Sequence, residues 1–430
     1  EWEGETVTSH FRRGWIVALL MMMLVFGVAN AQTNVTLTFW TFVSDHADFY
    51  ESMVEAFNES QTEYKITLQT TTMPVDQMHD NLLISLLAGV GAPDIVDVNI
   101  QWAGLFFKQN PEYFVDLTSL VEPYRDVMNP ERIKVYTDTN GRILGLPTHL
   151  GAGLAYYYKP PFDDAGINID DIVYYDDWVE AGKKVTRPDQ NVYMTSVQNR
   201  LAREFLLFTM QKGGYMVDPE GNVTVDGPQA VEALQFIYDL VHTHKIAMIA
   251  PGGTFNEPPF YDAVNRGQIL SLPYAQWYTI RYKSFMPDLA GDVYIRPLPL
   301  WEPGGFTSAT MGGTGTAIVA GTQNVDAAMK FLEFAKLTYE GNVKIWTDLG
   351  FDPPRMDVYD DPRLLEPDPY FGNEPIMPVV KKAAERIVAK PVSPVSSEIM
   401  NILNRDTIFN VLEGRQTPQE ALEALARQFR

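Results

Sequence analysis

The 430-residue chain has no cysteine, only 33 Lys and Arg against 55 Asp and Glu, and one long apolar run, which lies near its beginning. Each shortage excludes something. Without thiols there is no disulfide framework, zinc-thiolate site, iron–sulfur cluster or cysteine nucleophile. The formal net charge of −22 sets up a field that repels phosphate backbones and anionic lipid surfaces, so nucleic acid is not an expected partner. Blocks of like charge, low-complexity tracts and internal repeats are missing as well. With 46% hydrophobic residues and 12% aromatics, the chain can bury far more apolar surface than a solvated coil. Single cores stop growing beyond roughly 250–300 residues, so the length predicts two folded units.

The apolar run extends from Gly14 to Val28, after His10, Arg12 and Arg13 and before the small-x-small sequence Ala29-Asn30-Ala31. This pattern predicts a cleavable secretory signal peptide over residues 1–31. A permanent anchor would need about 20 apolar residues to span a bilayer. The mature protein is therefore expected in a periplasmic or extracellular location, without stable membrane insertion. With no cysteine after the run to carry a lipid, an enclosed periplasm is favoured.

Beyond residue 31, segments of period 2 alternate with segments of period 3.6, the signature of α/β architecture. Val35, Leu37 and Phe39 form one face of a first strand, and Phe49, Met53, Val54 and Phe57 recur at helical spacing behind it. Strands follow at Tyr64–Thr70 and Ile95–Val98, with a helix around Met78–Ala88 between them. A second series starts with a strand at Leu154–Tyr158 and includes strands at 192–197 and Ile269–Pro273. A glycine-rich stretch through Gly312-Gly313-Thr314-Gly315 leads to a strand at Thr316–Ala320. The next helix is expected to be capped by Asn324 and to stop at Gly341. Residues 351–373, with prolines at 353, 354, 362, 367 and 369, read as a connector outside the core. Thr417-Pro418-Gln419-Glu420 marks a final helix by its N-cap, first-turn proline and capping-box glutamate.

Catalytic signatures are absent as local motifs. There is no Gly-x-Ser-x-Gly, Ser-x-x-Lys, His-Glu-x-x-His or phosphate loop. His242 and His244, two apart on a helix, point in different directions and make a poor metal pair. Gly313-Thr314-Gly315 precedes its strand, which is the wrong order for a dinucleotide turn. The acidic pairs Asp163-Asp164, Asp170-Asp171 and Asp176-Asp177 read as caps or solvated charge, with Asp176 or Asp177 placed to cap a helix at Trp178. No catalytic residues, metal or cofactor are expected. A secreted carbohydrate-active enzyme stays as the alternative, because glycosidase carboxylates need no local motif.

Several aromatics sit where open α/β sheets take ligands, outside the carboxyl ends of strands. Trp40 ends the first strand on the face opposite Phe39, either at the strand's mouth or under a helix. Asn99, Gln101 and Trp102 follow the third strand. Amides match sugar hydroxyls, and an aromatic ring matches the C–H face of a pyranose.

In order along the chain, Leu37-Thr38-Phe39-Trp40, Gly91-Ala92-Pro93-Asp94-Ile95-Val96, Gly145-Leu146-Pro147 with Tyr156-Tyr157-Tyr158-Lys159, Trp277 after Ile269–Leu272, and Gly312-Gly313 through Phe331-Leu332 resemble one family. The chain is similar to the extracellular solute-binding proteins (family 1) of carbohydrate ABC importers, the group that includes maltose-binding protein. Tyr158, Pro160-Pro161 and Ala275-Gln276 depart from the family's common residues. The resemblance implies a two-lobed periplasmic-binding-protein fold with hinge crossings and a central cleft. Residues 32–149 and 305–355 would form lobe 1, and residues 150–304 and 356–430 lobe 2. It further implies a monomer that binds a sugar or oligosaccharide and delivers it to ABC permease subunits. Carried over residue by residue, Trp40, Asp45, Asn99, Trp102, Tyr157, Trp277, Trp301, Gly313 and Arg355 would line the cleft. Trp40, Tyr157 and Trp277 would stack on sugar rings, and Asp45, Asn99 and Arg355 would bond hydroxyls.

Overall fold

Strand alternation decides which side chains enter which core. In a computed structural model, which describes residues 32–430, β1 (Thr33–Thr41) pairs in parallel with β2 (Tyr64–Thr72) and β3 (Ile95–Asn99). The expected signal peptide lies outside the described residues. The remaining strands are β4 (Leu146–Pro147), β5 (Gly153–Tyr158), β6 (Thr195–Val197), β7 (Ala247–Ile249), β8 (Ser271–Ala275), β9 (Val293–Pro297), β10 (Ser308–Ala309), β11 (Thr314–Ile318) and β12 (Ile387–Val388). The first sheet has the order β2-β1-β3-β11-β4, with β11 antiparallel to both neighbours.

Register ties the faces together. Phe39 pairs with Ile95 and Ile95 with Ile318, and all three enter the core beneath the helix Ser44–Ser60. One residue along, Trp40 pairs with Val96 and Val96 with Ala317; these face the other core, which holds Met78 and Leu82 of the helix Val75–Ala88. A period of two sends alternate residues to opposite faces. Gly89, at φ 68°, ends that second helix and donates its amide to the Leu86 carbonyl.

The same parity puts three polar groups on the Phe39 side at the strand ends. Asp97 is fully buried and accepts hydrogen bonds from Thr41 Oγ1, Thr316 Oγ1 and His46 Nδ1, each at 2.8 Å. Tyr50 Oη meets Thr316 Oγ1 at 2.7 Å. Burial opposes ionisation of Asp97, but the interactions with His46, Lys336 and Thr316 outweigh it and hold its pKa below the ordinary value. Lys336, also fully buried, donates to Thr148 Oγ1 at 2.7 Å, and burial lowers its pKa to about 7.

The second and larger core packs around the antiparallel sheet β8-β5-β9, with the parallel pairs β6-β7 and β10-β12 beside it. Chain passage between the lobes is marked at three places, and Ala389 and Val392 make a further return to the core of Met78 before Ile399 rejoins the larger core. Leu146 belongs to the first and Leu150 to the second, Met311 to the second and Ile318 to the first, and Phe351 to the first and Val358 to the second. Ser308, Ala309 and Met311 thus stay with the larger core, because β10 pairs with β12 there.

Asp352 joins the passages. Its carboxylate accepts from the amides of Gly151 (2.9 Å) and Ala152 (2.7 Å), and its own amide donates to Gln276 Oε1 at 3.0 Å. Gln276 Nε2 donates to the Gly350 carbonyl, and Met311 N donates to the Gly151 carbonyl. Burial raises the Asp352 pKa to about 7 against the pull of those amides.

Some local expectations change. The helix from Val325 ends at Lys336; a new helix, Tyr339–Thr347, starts from Thr338, whose Oγ1 accepts the Gly341 amide at 3.1 Å. Asn324 makes no capping bond, its side chain reaching toward Asp94 instead. Asp177 is the third residue of its helix, accepting the Tyr174 amide at 2.8 Å. Residues 351–373 are no external connector: Phe351, Val358, Tyr359, Leu364 and Phe371 are buried, because their side chains cover the sheet edge and the passages between cores. The capping box of the last helix forms as read, with Glu420 N donating to Thr417 Oγ1 and Thr417 N to Glu420 Oε2.

Asp97→Ala removes one partner of a buried pair and strands two hydroxyls, so it should cost about 3–5 kcal/mol in urea unfolding. Asp48→Ala, on the exposed side of the helix Ser44–Ser60, should stay within about 0.5 kcal/mol. Because the folded-state pKa of Asp97 is depressed, its contribution is complete above the ordinary carboxylate range and is lost as the pH falls through it. The wild-type protein should therefore lose stability more steeply than Asp97→Ala below about pH 4.

Candidate functional site

β3 ends at Asn99, where the chain turns out of the sheet. Asn99 Oδ1 accepts the Gln101 amide at 3.0 Å, its carbonyl accepts the Trp102 amide, and Ile100 N donates to the Gly313 carbonyl. This local side-chain-to-backbone bonding replaces the ladder and fixes the turn. His79 braces it from beneath: Nδ1 faces the Val75 carbonyl at 2.6 Å, and Nε2 accepts the Asn99 amide at 2.9 Å. Those partners require the neutral Nδ1–H tautomer. Burial pushes the His79 pKa down to about 4, which agrees with that state. The His79 ring stacks on Trp102 at 5.1 Å and 11°, so a half-buried indole is held as a platform.

Trp277 follows β8 in a short turn and contacts both the first and the larger core. Its Nε1 donates to the Met311 carbonyl at 3.0 Å, and the Arg203 guanidinium lies 5.4 Å from its ring centre. Arg203 Nη1 donates to Tyr274 Oη at 2.9 Å. Asn99, Gln101, Arg203, Thr310, Gly312 and Lys390 line a cavity of about 70 Å³ between the two cores. On the other side of Lys390, a cavity of about 330 Å³ is bordered by Lys108, Asp138 and Tyr215. Amides and cations line this space, and the Trp277 indole stands on an adjoining element.

Asn99 lines the small cavity, while Trp102 and Trp277 stand on the elements that form it. Trp40 is half-buried against the core under the helix Val75–Ala88, with Phe42 and Met73. Asp45 is exposed in the first turn of the helix Ser44–Ser60. Gly313 does not offer a side chain but makes room for one: at φ 151°, a Cβ there would lie 2.1 Å from Arg132 Nη2. Arg132, fully buried, donates to the carbonyls of His149 and Gly312.

Besides Trp40 and Asp45, which do not line the cavity, three further expected residues lie elsewhere. Tyr157 is 1% exposed within the larger core, edge-on to Phe162, because both faces of β5 are covered, so it presents no stacking face. Trp301 packs among Tyr175, Phe208 and Phe236 with Lys212 over its ring at 4.3 Å, beside a different cavity. Arg355 has its guanidinium engaged by both Asp357 oxygens and the Leu337 carbonyl, between the Tyr124 and Tyr339 rings. The acidic pairs are also committed outside the cleft: Asp163 to Lys159, Asp170 to Arg296, Asp177 to its helix start. Gln101, read with Asn99 after the third strand, also lines the cavity, and the residues not anticipated are Arg203, Thr310 and Lys390. The signal for Lys390 was a lone charge inside Val388-Ala389-Lys390-Pro391-Val392.

Comparison with known proteins places this geometry in a family. A family model described as bacterial extracellular solute-binding protein matches residues 44–338, and an arabinooligosaccharide-binding protein of Halalkalibacterium halodurans is 38% identical over 390 residues, covering 90% of this chain and 87% of that protein. The chain belongs to the bacterial extracellular solute-binding proteins. A second relative of this solute-binding protein, the arabinooligosaccharide-binding protein of Bacillus subtilis, is 35% identical over 427 residues, covering 97% of this chain and 98% of that protein. Among solved structures, the GacH receptor of Streptomyces glaucescens aligns with a TM-score of 0.75 at 20% identity, covering 93% of this chain and 98% of that one. Maltose-bound MalE3 of T. maritima aligns with a TM-score of 0.70 at 23% identity, covering 92% and 98%. These likenesses carry the two-lobed α/β fold. No helix among the described residues is long and apolar enough to cross a membrane.

Gly313→Ala should destabilise this solute-binding protein by about 1–3 kcal/mol, since backbone strain and displacement of the Arg132 guanidinium add. Urea titration checks it. Gly141→Ala, at φ 86° with nothing within 4 Å of its Cβ, carries the strain alone and should cost less.

Proposed function

We propose that this solute-binding protein captures an arabinose-based oligosaccharide in the cleft between the cores and delivers it to the permease subunits of an ABC importer. The observation that carries the reading is the 38% and 35% identity to two arabinooligosaccharide-binding proteins over nearly the whole chain. The cleft chemistry supports it: Trp102 and Trp277 offer stacking faces, and Asn99, Gln101 and Arg203 offer directional donors and acceptors for hydroxyls. The protein acts as a binder without catalysis, as a monomer outside the cytoplasm, after removal of residues 1–31.

Core membership supports one lobe of residues 32–149 and 312–351, joined by Ala389 and Val392, and another built from the rest of residues 150–311 and 356–430. The cavity of about 70 Å³ is far below the roughly 300–1,000 Å³ of ordinary ligand pockets. Ligand entry therefore requires the lobes to part about the Asp352 passages, a hinge motion of packed bodies. A sugar touching both lobes favours the closed form, and that differential affinity lets the permease distinguish loaded from empty protein.

Calorimetric titration with arabinotriose should give saturable binding, and excess ligand should raise the melting temperature. Trp102→Ala and Trp277→Ala should each weaken binding at least tenfold, about 1.4 kcal/mol. Incubation with arabinan should release no reducing sugar. Absence of any response to mono- or oligosaccharides would overturn the reading, and release of reducing sugar would replace it with an enzyme.

A further inference from the structure

In a chain with 55 acidic and 33 basic residues, a largely buried basic side chain without an ion-pair partner stands out. Lys390 is 6% exposed, and its ammonium has no hydrogen-bond or ion-pair partner among the described residues. It sits on a segment that leaves β12 and returns to the first lobe, where Ala389 and Val392 enter the core. Thr310 Oγ1 accepts its backbone amide at 3.3 Å. The side chain borders both cavities of the cleft. Burial alone lowers its pKa to about 8, with no carboxylate acting on it, so it still carries a proton at neutral pH.

Its neighbours do not neutralise it. Glu131 is paired with Lys134 and Asp138 with Arg142, while Lys108, part-buried, donates only to the Thr137 carbonyl. Arg203, across the small cavity, bonds the Tyr274 hydroxyl and has no ion pair among the described residues. The adjacent Glu204 bonds the Gln198 amide groups and acts on Arg203 through space without pairing with it directly. Neither the Lys390 ammonium nor the Arg203 guanidinium meets a carboxylate in an ion pair among the described residues, so each is free to take an anionic group of a ligand. A neutral sugar could take hydrogen bonds from these groups but could not compensate their charge.

Resting on the carbohydrate reading above, we propose that the preferred ligand carries a carboxylate, as an oligosaccharide with a uronate residue does, and that this group is seated between Lys390 and Arg203. Both cations border one cavity of about 70 Å³, so a single carboxylate meets both. Bidentate pairing with the Arg203 guanidinium fixes its plane, and the Lys390 ammonium supplies a second charge-assisted bond.

Calorimetry on the purified protein would compare arabinotriose, an arabino-oligosaccharide of the same length bearing glucuronate, free glucuronate and acetate. The acidic oligosaccharide should bind at least tenfold more tightly than the neutral one. Lys390→Gln and Arg203→Gln should each reduce that preference about tenfold, whereas Lys390→Arg should keep it. Thermal melts of the variants would separate loss of preference from loss of fold. Equal or tighter binding of the neutral oligosaccharide, or a preference unchanged in a folded Lys390→Gln, would overturn the inference while leaving the sugar-binding reading in place. Acetate binding as tightly as the acidic oligosaccharide would overturn the assignment to a sugar. If no saccharide bound at all, the carbohydrate reading itself would fall.

Discussion

The grip of one carboxylate on two amides organises the molecule. Asp352, fully buried, holds Gly151 and Ala152 at the point where the chain passes between cores, while Gln276 from the larger core holds Asp352 and Gly350 in return. The passages carry backbone groups that water cannot reach, and these bonds satisfy them. Because the grip involves a few residues at the ends of elements, the bodies on either side can change their angle without losing their own packing.

Each lobe is stiffened differently on its side of that point. The first lobe relies on the Asp97 node, which locks β1, β3 and β11 to the helix above them through Thr41, Thr316 and His46. The second lobe relies on aromatic packing around β5, with Tyr156 on Tyr282 at 4.9 Å and Tyr278 edge-on to Tyr282 at 5.7 Å. A polar node is directional and fixes strand ends, which suits a wall whose Asn99 lines the cavity. Aromatic stacking fills volume and gives a body that moves as a unit.

Much of this was legible in the sequence where period and side-chain type agree. The two faces of β1 follow from Leu37 and Phe39 alternating with Trp40, and the final helix follows from Thr417 and Glu420. Legibility failed where burial depends on distant chain. Three consecutive tyrosines, Tyr156 to Tyr158, look alike, yet only tertiary packing covers both faces of β5 and removes Tyr157 from the cleft. Prolines between Phe351 and Asn373 signalled a loop correctly, but not that Asp352, Tyr359 and Phe371 turn inward. Arg203 and Lys390 carry no local motif; they line one cavity although nearly two hundred residues separate them.

Trp277 has one more consequence. Its ring touches both cores, its N–H is committed to the Met311 carbonyl at a passage between lobes, and a guanidinium lies 5.4 Å from its ring centre. Indole emission responds to the hydrogen bond on nitrogen and to nearby charge. The proposed change of angle between the lobes would thereby be written into the optical properties of a native side chain, and could be timed without attaching a dye.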